Sequence, residues 1–524
     1  MNAFVKSGRG IHLIKSKAGR LFGTTMMVSL VVLSSKALGF LRDIIMAHMH
    51  GTSAAMDAYN AAYGVFYIPI LLMNSCITST LVPLYIQEKE ERDLLHANRF
   101  ASNTINIFSI LCLLITALMM VFARPIVSLV HAGFAPETTD LTVRLVRIML
   151  PSLLFFVLAI LLSSVLNANK KFMAAQLTGF PLSFALITST LLSGGPDGIE
   201  MLAWGVAAAG VLQVAVEYPF AHKVYRYSPR LNVRDERFIK LVHMAVPALL
   251  SMAVNELNHM IDRSLASGLP AGSISAMNYA FKLITFALGV LIVPLTTIMF
   301  SRMSEKVARQ DKEGMLDILS SCVETILMVT VPVTILGCVL SKDVIGLAYG
   351  RGNFGTDSVA MTSGVFLFYM LGLSAFSLRD LFNRAFHSLK DTKTPMYTAW
   401  FSVAANIVLN LILVRVMGAN GLALATSISA LVSIAILVIL LRKKMGRMNL
   451  TALAIEVVKI AISGVLCLAA CLFMNRFIPA ASNTWQLLGR LVLIAGVGMI
   501  LHLACAVVLK CRCLAAVRRR LIRK

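Results

Sequence analysis

The sequence has 524 residues, of which 58% are hydrophobic and only 14% are charged, and its mean hydropathy is +0.80. Because a soluble globular domain carries about 25% charged residues, this composition excludes a soluble protein and indicates a chain that crosses a membrane many times. The net charge of +23 does not indicate nucleic-acid binding, since the cations form short clusters between apolar segments, where topology and anionic lipid headgroups account for them.

Apolar segments long enough to cross a bilayer, about 20 residues each, recur along the whole chain. They predict an all-α polytopic membrane protein with about fourteen transmembrane helices. We expect two pseudo-repeated six-helix halves followed by two C-terminal helices. The predicted helices are 25–48, 58–85, 102–123, 141–167, 172–194, 198–221, 238–262, 275–301, 317–340, 359–387, 394–415, 418–441, 452–474 and 487–510.

The first predicted helix, 25–48, is apolar but carries the charged residues Lys36, Arg42 and Asp43. In a helix, Ser35 and Arg42 share one face, and Lys36 lies with Asp43 on the neighbouring face. A cation near the middle of a bilayer costs at least about 2.5 kcal/mol unless it faces a water-filled cavity or a counter-charge. One side of this helix is therefore predicted to bind a polar cargo.

Most of the 48 Lys and Arg residues lie in the termini and in the loops after even-numbered predicted helices. By the positive-inside rule, both termini are predicted to be cytoplasmic. The longest cytoplasmic connection lies between two stretches that resemble each other, Leu-Val-Pro-Leu at 81–84 and Ile-Val-Pro-Leu at 292–295. The predicted segments are a basic N-terminal segment (1–24), an N-terminal half (25–221), a linker (222–240), a C-terminal half (241–442), the last two helices (450–510) and a basic tail (511–524).

Motifs for bond-making chemistry are missing from the sequence, which has no Walker motif, no zincin histidine pair and no nucleophile elbow. The nine cysteines are scattered, mostly within apolar segments, without metal-ligand spacing, and we interpret them as packing residues. The sequence therefore predicts a transporter rather than an enzyme, with no tightly bound cofactor.

Five motifs lie in and between the predicted helices: SKALGFLRDIIMAHMHGTSAAMDAYNAAY at 35–63, VPLY at 82–85, YGRGNF at 349–354, AFHSLKDTKTP at 385–395 and NIVLN at 406–410. Together they resemble the MurJ (MviN) family, the lipid II flippases of bacterial cell-wall synthesis, over about residues 25–510. The resemblance implies fourteen helices and a cation-lined central cavity that receives an anionic pyrophosphate headgroup. It also implies a groove at the last two helices, 450–510, that takes the polyprenyl tail.

Residues that match the cavity of this family are predicted to bind the substrate. They are Ser35, Lys36, Arg42, Asp57 and Lys282. For the three cations, the alternative is local pairing, as of Arg42 with Asp43 or Asp57, or an extended side chain that reaches the membrane interface. For Asp57, the alternative is an ordinary helix N-terminal charge.

Two departures from the family pattern concern phosphate recognition. Lysine stands at positions 36 and 282, where the family commonly has arginine, and lysine keeps the charge but lacks the bidentate fork. In the second helix, Ile70, Leu71 and Ser75 replace an arginine pair and a glutamate of the family. These replacements keep open a flippase for another polyprenyl-linked saccharide. A cation-coupled multidrug antiporter is a further alternative, although the basic first helix disfavours it.

A sodium site of some family members has matching positions in this sequence. They are Asp262, Asn406, Asn410 and Thr426. One carboxylate, two amide oxygens and a hydroxyl are the hard oxygen ligands that sodium prefers. The alternative is that Asn406 and Asn410, one turn apart, join neighbouring helices by hydrogen bonds.

The resemblance implies a flippase that moves lipid II, the undecaprenyl-pyrophosphate-linked peptidoglycan precursor, from the inner to the outer leaflet by alternating access. We expect it in the bacterial cytoplasmic membrane, coupled to a sodium or proton gradient. Expected partners are the polyprenyl-linked saccharide, membrane lipids and cell-wall synthesis proteins, with no nucleic acid. Its role would lie in peptidoglycan biosynthesis and cell shape.

Overall fold

The computed structural model describes residues 2–446, 450–479 and 483–514. Side chains are described from Met26 onward, except at positions 247, 248, 250, 251, 253–255 and 450. Within these ranges all regular secondary structure is helical, which confirms the predicted all-α polytopic class.

The α-helices of the described residues follow one another with short connections. They are α1 (Asn2–His50), α2 (Ala54–Glu91), α3 (Leu94–Val121), α4 (Ala123–Val130), α5 (Pro136–Met149), α6 (Leu153–Ala168), α7 (Phe172–Ala175), α8 (Gly179–Leu192), α9 (Glu200–Ala221), α10 (Glu236–Ser267), α11 (Ser273–Ala287), α12 (Val293–Ala308), α13 (Lys312–Val339), α14 (Ser341–Tyr349), α15 (Thr356–Leu371), α16 (Leu373–Ser388), α17 (Lys393–Met417), α18 (Ala419–Met445), α19 (Leu450–Phe477) and α20 (Thr484–Val508). A π-helical segment, Leu288–Ile292, joins α11 to α12.

Eleven helical segments of the described residues are long and apolar enough to cross a membrane, and the pair α15 and α16, bent by 44°, makes up to twelve. The other two predicted spans, 25–48 and 238–262, lie inside α1 and α10, which are not among these segments. The predicted count of fourteen spans is therefore not confirmed. The bend falls at Gly372, where a Cβ atom would lie 2.4 Å from Ser427 Oγ, so glycine permits close packing at this point.

The chain divides into two compact units. Unit 1 comprises residues 1–50, 58–129 and 135–253. Unit 2 comprises residues 51–57, 130–134 and 254–524. The division falls inside α10, after the predicted linker 222–240.

In unit 1 the predicted linker 222–240 packs on α3, because side chains of α3 form hydrogen bonds with the linker backbone. The Asn103 side chain donates to the carbonyl of Asn232 (2.8 Å) and accepts from its N–H (2.6 Å). At the start of α10, Arg237 forms an ion pair with the buried Glu88 of α2 (2.7 Å). Because these bonds satisfy both backbone and charged groups, this connection is an ordered part of unit 1.

In unit 2 the short segment 51–57 is packed against later parts of the chain. Gly51 has a positive φ of 58°, and a Cβ atom there would lie 2.3 Å from the carbonyl oxygen of Asn353. The Thr52 hydroxyl donates to Ser358 Oγ (2.7 Å). Glycine is thus required at position 51, both for the backbone conformation and for the close approach.

The turn of the HSLKDTKTP motif is organised by Asp391, which stands between α16 and α17. Its carboxylate accepts the Thr394 N–H (3.0 Å) and hydroxyl (2.8 Å) and the Lys444 ammonium (2.6 Å). Burial alone would raise the pKa of Asp391, but the hydrogen bonds from Lys444 and Thr394 outweigh it and lower this pKa to about 2. The carboxylate is therefore charged at neutral pH and caps the start of α17.

We expect Asp391→Asn to lower the free energy of unfolding by about 1 kcal/mol, because the substitution weakens a helix cap and removes an ion pair. The native pKa lies below the unfolded value of about 3.9, so this stabilisation is complete above pH 4 and is lost as the pH falls towards 2. Thermal unfolding of the detergent-solubilised protein at pH 7 measures the difference. The exposed Asp357→Asn is the control; equal melting temperatures for both variants would contradict the assignment.

Candidate functional site

The predicted cargo face of α1 lies in unit 1, where Ser35 and Arg42 are both partly buried. A Cβ atom at Gly179, the first residue of α8, would lie 2.1 Å from Ser35 Oγ, so this glycine lets the two helices approach closely. The Arg42 guanidinium forms an ion pair with the neighbouring Asp43 through Nε (3.2 Å) and Nη2 (3.0 Å), both directed at Oδ1. Local pairing of Arg42, an alternative raised by the sequence, is therefore present.

Pairing with Asp43 leaves part of the Arg42 guanidinium available. Guanidinium has five N–H donors, and neither contact to Asp43 involves Nη1. Lys36, nearly two turns earlier in α1, is exposed and makes no hydrogen bond or ion pair with the described residues. Ser35, Lys36 and Arg42 thus supply one hydroxyl, one ammonium and part of one guanidinium on α1, which suits an anionic ligand.

A row of tyrosines on α2 was missed by the sequence analysis. The rings of Tyr59 and Tyr63 stack with centroids 6.2 Å apart, and those of Tyr63 and Tyr67 with centroids 5.6 Å apart. Their spacing of four residues, visible in the sequence, is the signal that places all three on one helix face. Tyrosine combines an apolar ring with a hydroxyl, so the partly buried Tyr63 and the exposed Tyr67 can contact both apolar and polar parts of a ligand, whereas Tyr59 is buried.

The carboxylate of Asp57, in the first turn of α2, caps the N-terminus of α11 in unit 2. Oδ2 accepts the Gly272 N–H (2.6 Å), and Oδ1 accepts the N–H (2.7 Å) and the hydroxyl (2.6 Å) of Ser275. Gly272 is the residue before α11 and has no side chain with which to cap it. Asp57 is 4% exposed and supplies the missing cap from another helix. Its predicted substrate contact stays a prediction.

Lys282 lies in the middle of α11, also in unit 2, and is partly buried. Its ammonium stands 5.8 Å from the centroid of the Tyr279 ring, within the range of a cation–π interaction. This contact holds a cation inside an apolar helix, where an ammonium needs a polar or aromatic partner.

The residues of the predicted sodium site meet in unit 2. The Asn410 side-chain nitrogen donates to Asp262 Oδ1 (2.6 Å) and to Asn406 Oδ1 (3.0 Å). Turned by 180°, the Asn406 amide would instead donate to Asp262 Oδ1 at 3.2 Å and accept the Thr426 N–H at 3.1 Å. Asn410 Oδ1 is buried without a partner, and Asp262 is 8% exposed. The Asn410 amide turns its nitrogen towards Asp262, and its unpartnered Oδ1 is the oxygen left for a small hard cation.

A polar cavity of about 490 Å³ lies in unit 2 between α10, α11, α12, α16, α17 and α18. Arg379, on α16, is a lining residue that the sequence analysis did not single out. The signal in the sequence that could have indicated it is an arginine inside the apolar predicted helix 359–387. Asn406 and Thr426 also line this cavity, so the candidate sodium site borders it.

An apolar groove of about 260 Å³ lies between α13 and α19. Gly464 on α19 faces Val331 of α13, and a Cβ atom there would lie 2.8 Å from Val331 Cγ1. The predicted tail groove at 450–510 therefore has an apolar hollow at its first helix. Its occupation by a polyprenyl chain stays a prediction.

Comparison with known proteins gives one consistent family. Residues 46–491 match the family model described as lipid II flippase MurJ. A probable lipid II flippase MurJ of Rhizobium tropici is 30% identical over 414 residues, which are 76% of each chain. A solved structure of lipid II flippase MurJ in an inward closed conformation is 25% identical, with a TM-score of 0.79 over 92% of this chain and 98% of that one. An inward-facing MATE multidrug transporter, 15% identical, shares the fold with a TM-score of 0.67 over 81% and 98% of the two chains.

Proposed function

The chain belongs to the MurJ family of lipid II flippases, and from that premise we propose that it moves lipid II from the inner to the outer leaflet of the bacterial cytoplasmic membrane. The observation that carries the proposal is the family match over residues 46–491, which include parts of both units. The protein is a multi-pass membrane transporter and not an enzyme. We further propose that both termini are cytoplasmic, on the distribution of Lys and Arg in the sequence.

The physical task of such a protein is to carry an anionic pyrophosphate through hydrocarbon. An unpaired anion in that medium costs many kcal/mol, whereas charge-assisted hydrogen bonds can replace its hydration. Lys36, Arg42 and Lys282 are cations inside otherwise apolar helices, which supports their assignment to this task. The polyprenyl tail can stay in the bilayer, so only the headgroup needs a polar path.

Alternating access supplies the movement in this proposal. No bond is made or broken, so the cycle needs an external source of free energy. The membrane potential is one such source, since each elementary charge moved through 100 mV is worth about 2.3 kcal/mol. A sodium or proton gradient is a second source of free energy.

Growth rescue tests the proposed function. A bacterial strain depleted of its own lipid II flippase should grow when this chain is expressed in its membrane. Failure to grow, with the protein present in the membrane at normal amounts, would contradict lipid II as the cargo. Accumulation of a different polyprenyl-linked saccharide in a strain lacking this gene would then favour the alternative indicated by Ile70, Leu71 and Ser75.

We also propose that sodium binds at Asp262, Asn406, Asn410 and Thr426 and is coupled to transport. The unpartnered Asn410 Oδ1 and the Asp262 carboxylate support this proposal, because a cation would satisfy both. Sodium would supply charge neutralisation there, and these side chains would hold it between α10, α17 and α18.

Asp262→Asn is expected to weaken apparent sodium affinity by at least about tenfold, since even outer-shell partners of a metal are worth that much. The measurement is the initial rate of lipid II transport in proteoliposomes as sodium replaces N-methylglucamine. Asp317→Asn, an exposed carboxylate on α13, is the control. Identical sodium dependence in wild type and Asp262→Asn, or none in wild type, would remove the coupling proposal.

A further inference from the structure

Arg379 in α16 presents a guanidinium to the polar cavity of unit 2, where the neighbouring Asp380 also lines the cavity. It makes no hydrogen bond or ion pair with the described residues, and its guanidinium carbon lies 5.7 Å from the centroid of the Phe376 ring. The adjacent Asp380 is already occupied, because it accepts from Arg384 Nε (2.9 Å) and from Thr296 Oγ1 (2.9 Å). Among the described residues, the N–H donors of the Arg379 guanidinium therefore have no hydrogen-bond acceptor.

The position of Arg379 argues against an incidental surface charge. It lies nine residues before the end of α16, which is about 14 Å along a helix and longer than an extended arginine side chain. Its side chain is partly buried and lines the cavity. An arginine in a membrane-spanning helix is costly, and such residues typically mark a substrate path.

Besides Arg379 and the acidic Asp380, the polar side chains that line this cavity are neutral or weakly basic, and they include Asn258, His259, Asn383 and Ser402. Side-chain amides can donate to and accept from peptide groups, and a guanidinium matches a carboxylate in a bidentate arrangement. A single cation beside the carboxylate of Asp380 is too little charge for a pyrophosphate. The volume of about 490 Å³ is in the range of sites that hold a small molecule or a short peptide.

We propose that this cavity binds the peptide of the lipid-linked headgroup and that Arg379 holds one of its carboxylates. The inference rests on the proposed function and deepens it. It divides the headgroup between two sites: the pyrophosphate goes to Lys36, Arg42 and Lys282, and the peptide goes to the cavity of unit 2. Arg379 is in this account a residue that determines which headgroup is carried.

Binding measurements on the full chain in nanodiscs test this division. The probes are lipid II, the same lipid without its peptide, and lipid II with its peptide carboxylates converted to amides. Arg379→Gln should raise the Kd for lipid II about tenfold, because a charge-assisted bidentate contact is lost. The Kd values for the other two lipids should change less than about twofold. Arg302→Gln, an exposed arginine on α12, is the matched control for charge.

Three outcomes decide the proposal. Selective weakening of lipid II binding in Arg379→Gln, with smaller weakening in Arg379→Lys, supports it. Equal weakening for all three lipids would overturn it, because Arg379 would then contact the pyrophosphate that they share. No change for any of the lipids would also overturn it, because Arg379 would then contact none of them. If Arg379→Gln unfolds at a lower temperature than the wild type, the Kd values of Arg379→Lys for the three lipids are compared instead, and the same outcomes support or overturn the proposal. A wild-type chain that binds none of the lipids would contradict the proposed function itself.

Discussion

Replacing Arg42 by alanine is expected to abolish growth rescue of a strain depleted of its lipid II flippase, while the protein still reaches the membrane. The reason is that a cation on the cargo face of α1 would replace part of the hydration of the pyrophosphate, and alanine offers neither charge nor hydrogen bonds. Transport should fall by at least about a hundredfold, as for the loss of two charge-assisted hydrogen bonds. Arg124→Ala, an exposed arginine paired with Asp140, should rescue normally.

The ion pair with Asp43 makes a second variant necessary. Arg42→Ala leaves Asp43, which is 6% exposed, without this cation, and an uncompensated buried charge can destabilise a protein strongly. If Arg42 serves only that pair, the double variant Arg42→Ala/Asp43→Asn should restore growth. If Arg42 binds cargo, the double variant should fail, and Asp43→Asn alone should grow. Normal growth of the double variant would remove Arg42 from the substrate site.

Replacing Asp57 by alanine is expected to lower the free energy of unfolding by about 3 kcal/mol. The substitution leaves the N–H groups of Gly272 and Ser275 without their acceptor, and an unsatisfied buried donor costs about 1–3 kcal/mol. It also removes the side-chain cap that Asp57 provides at the start of α11, where Gly272 cannot replace it. The effect should be local, so hydrogen exchange of the amides at 272 and 275 should quicken before exchange elsewhere in α11.

The comparison with Ser275→Ala separates the cap from general burial. That variant removes the hydroxyl hydrogen bond to Asp57 and leaves the backbone contacts, so we expect a loss of about 1 kcal/mol. Asp357→Ala, an exposed carboxylate in the first turn of α15, should change little. Equal thermal stabilities of Asp57→Ala and Asp357→Ala would show that the cap contributes less to the free energy of unfolding than its geometry implies.

The parts of this account that the sequence predicted correctly depend on local patterns. Apolar segments of membrane length predicted the helical class, because burial in lipid leaves the backbone no alternative to internal hydrogen bonds. The ion pair between Arg42 and Asp43 joins adjacent residues, so it was foreseeable as an alternative.

What the sequence could not predict involves residues far apart in the chain. The cap that Asp57 provides joins positions more than 200 residues apart, and no local pattern indicates such a partner. Arg379 was not singled out, although it lies inside the predicted helix 359–387. Only the packing of α16 shows that this arginine lines a cavity.

The most direct test of the central claim measures lipid II movement by the purified chain. Proteoliposomes with lipid II in both leaflets are treated from outside with a membrane-impermeant reagent that modifies the headgroup, and the modified fraction is followed with time. With the wild-type chain, the modified fraction should rise beyond the outer-leaflet half, whereas the triple variant Lys36→Ala/Arg42→Ala/Lys282→Ala should stop at that half. A triple variant that matches the wild type, or a wild type that stops at the outer-leaflet half, would contradict the account.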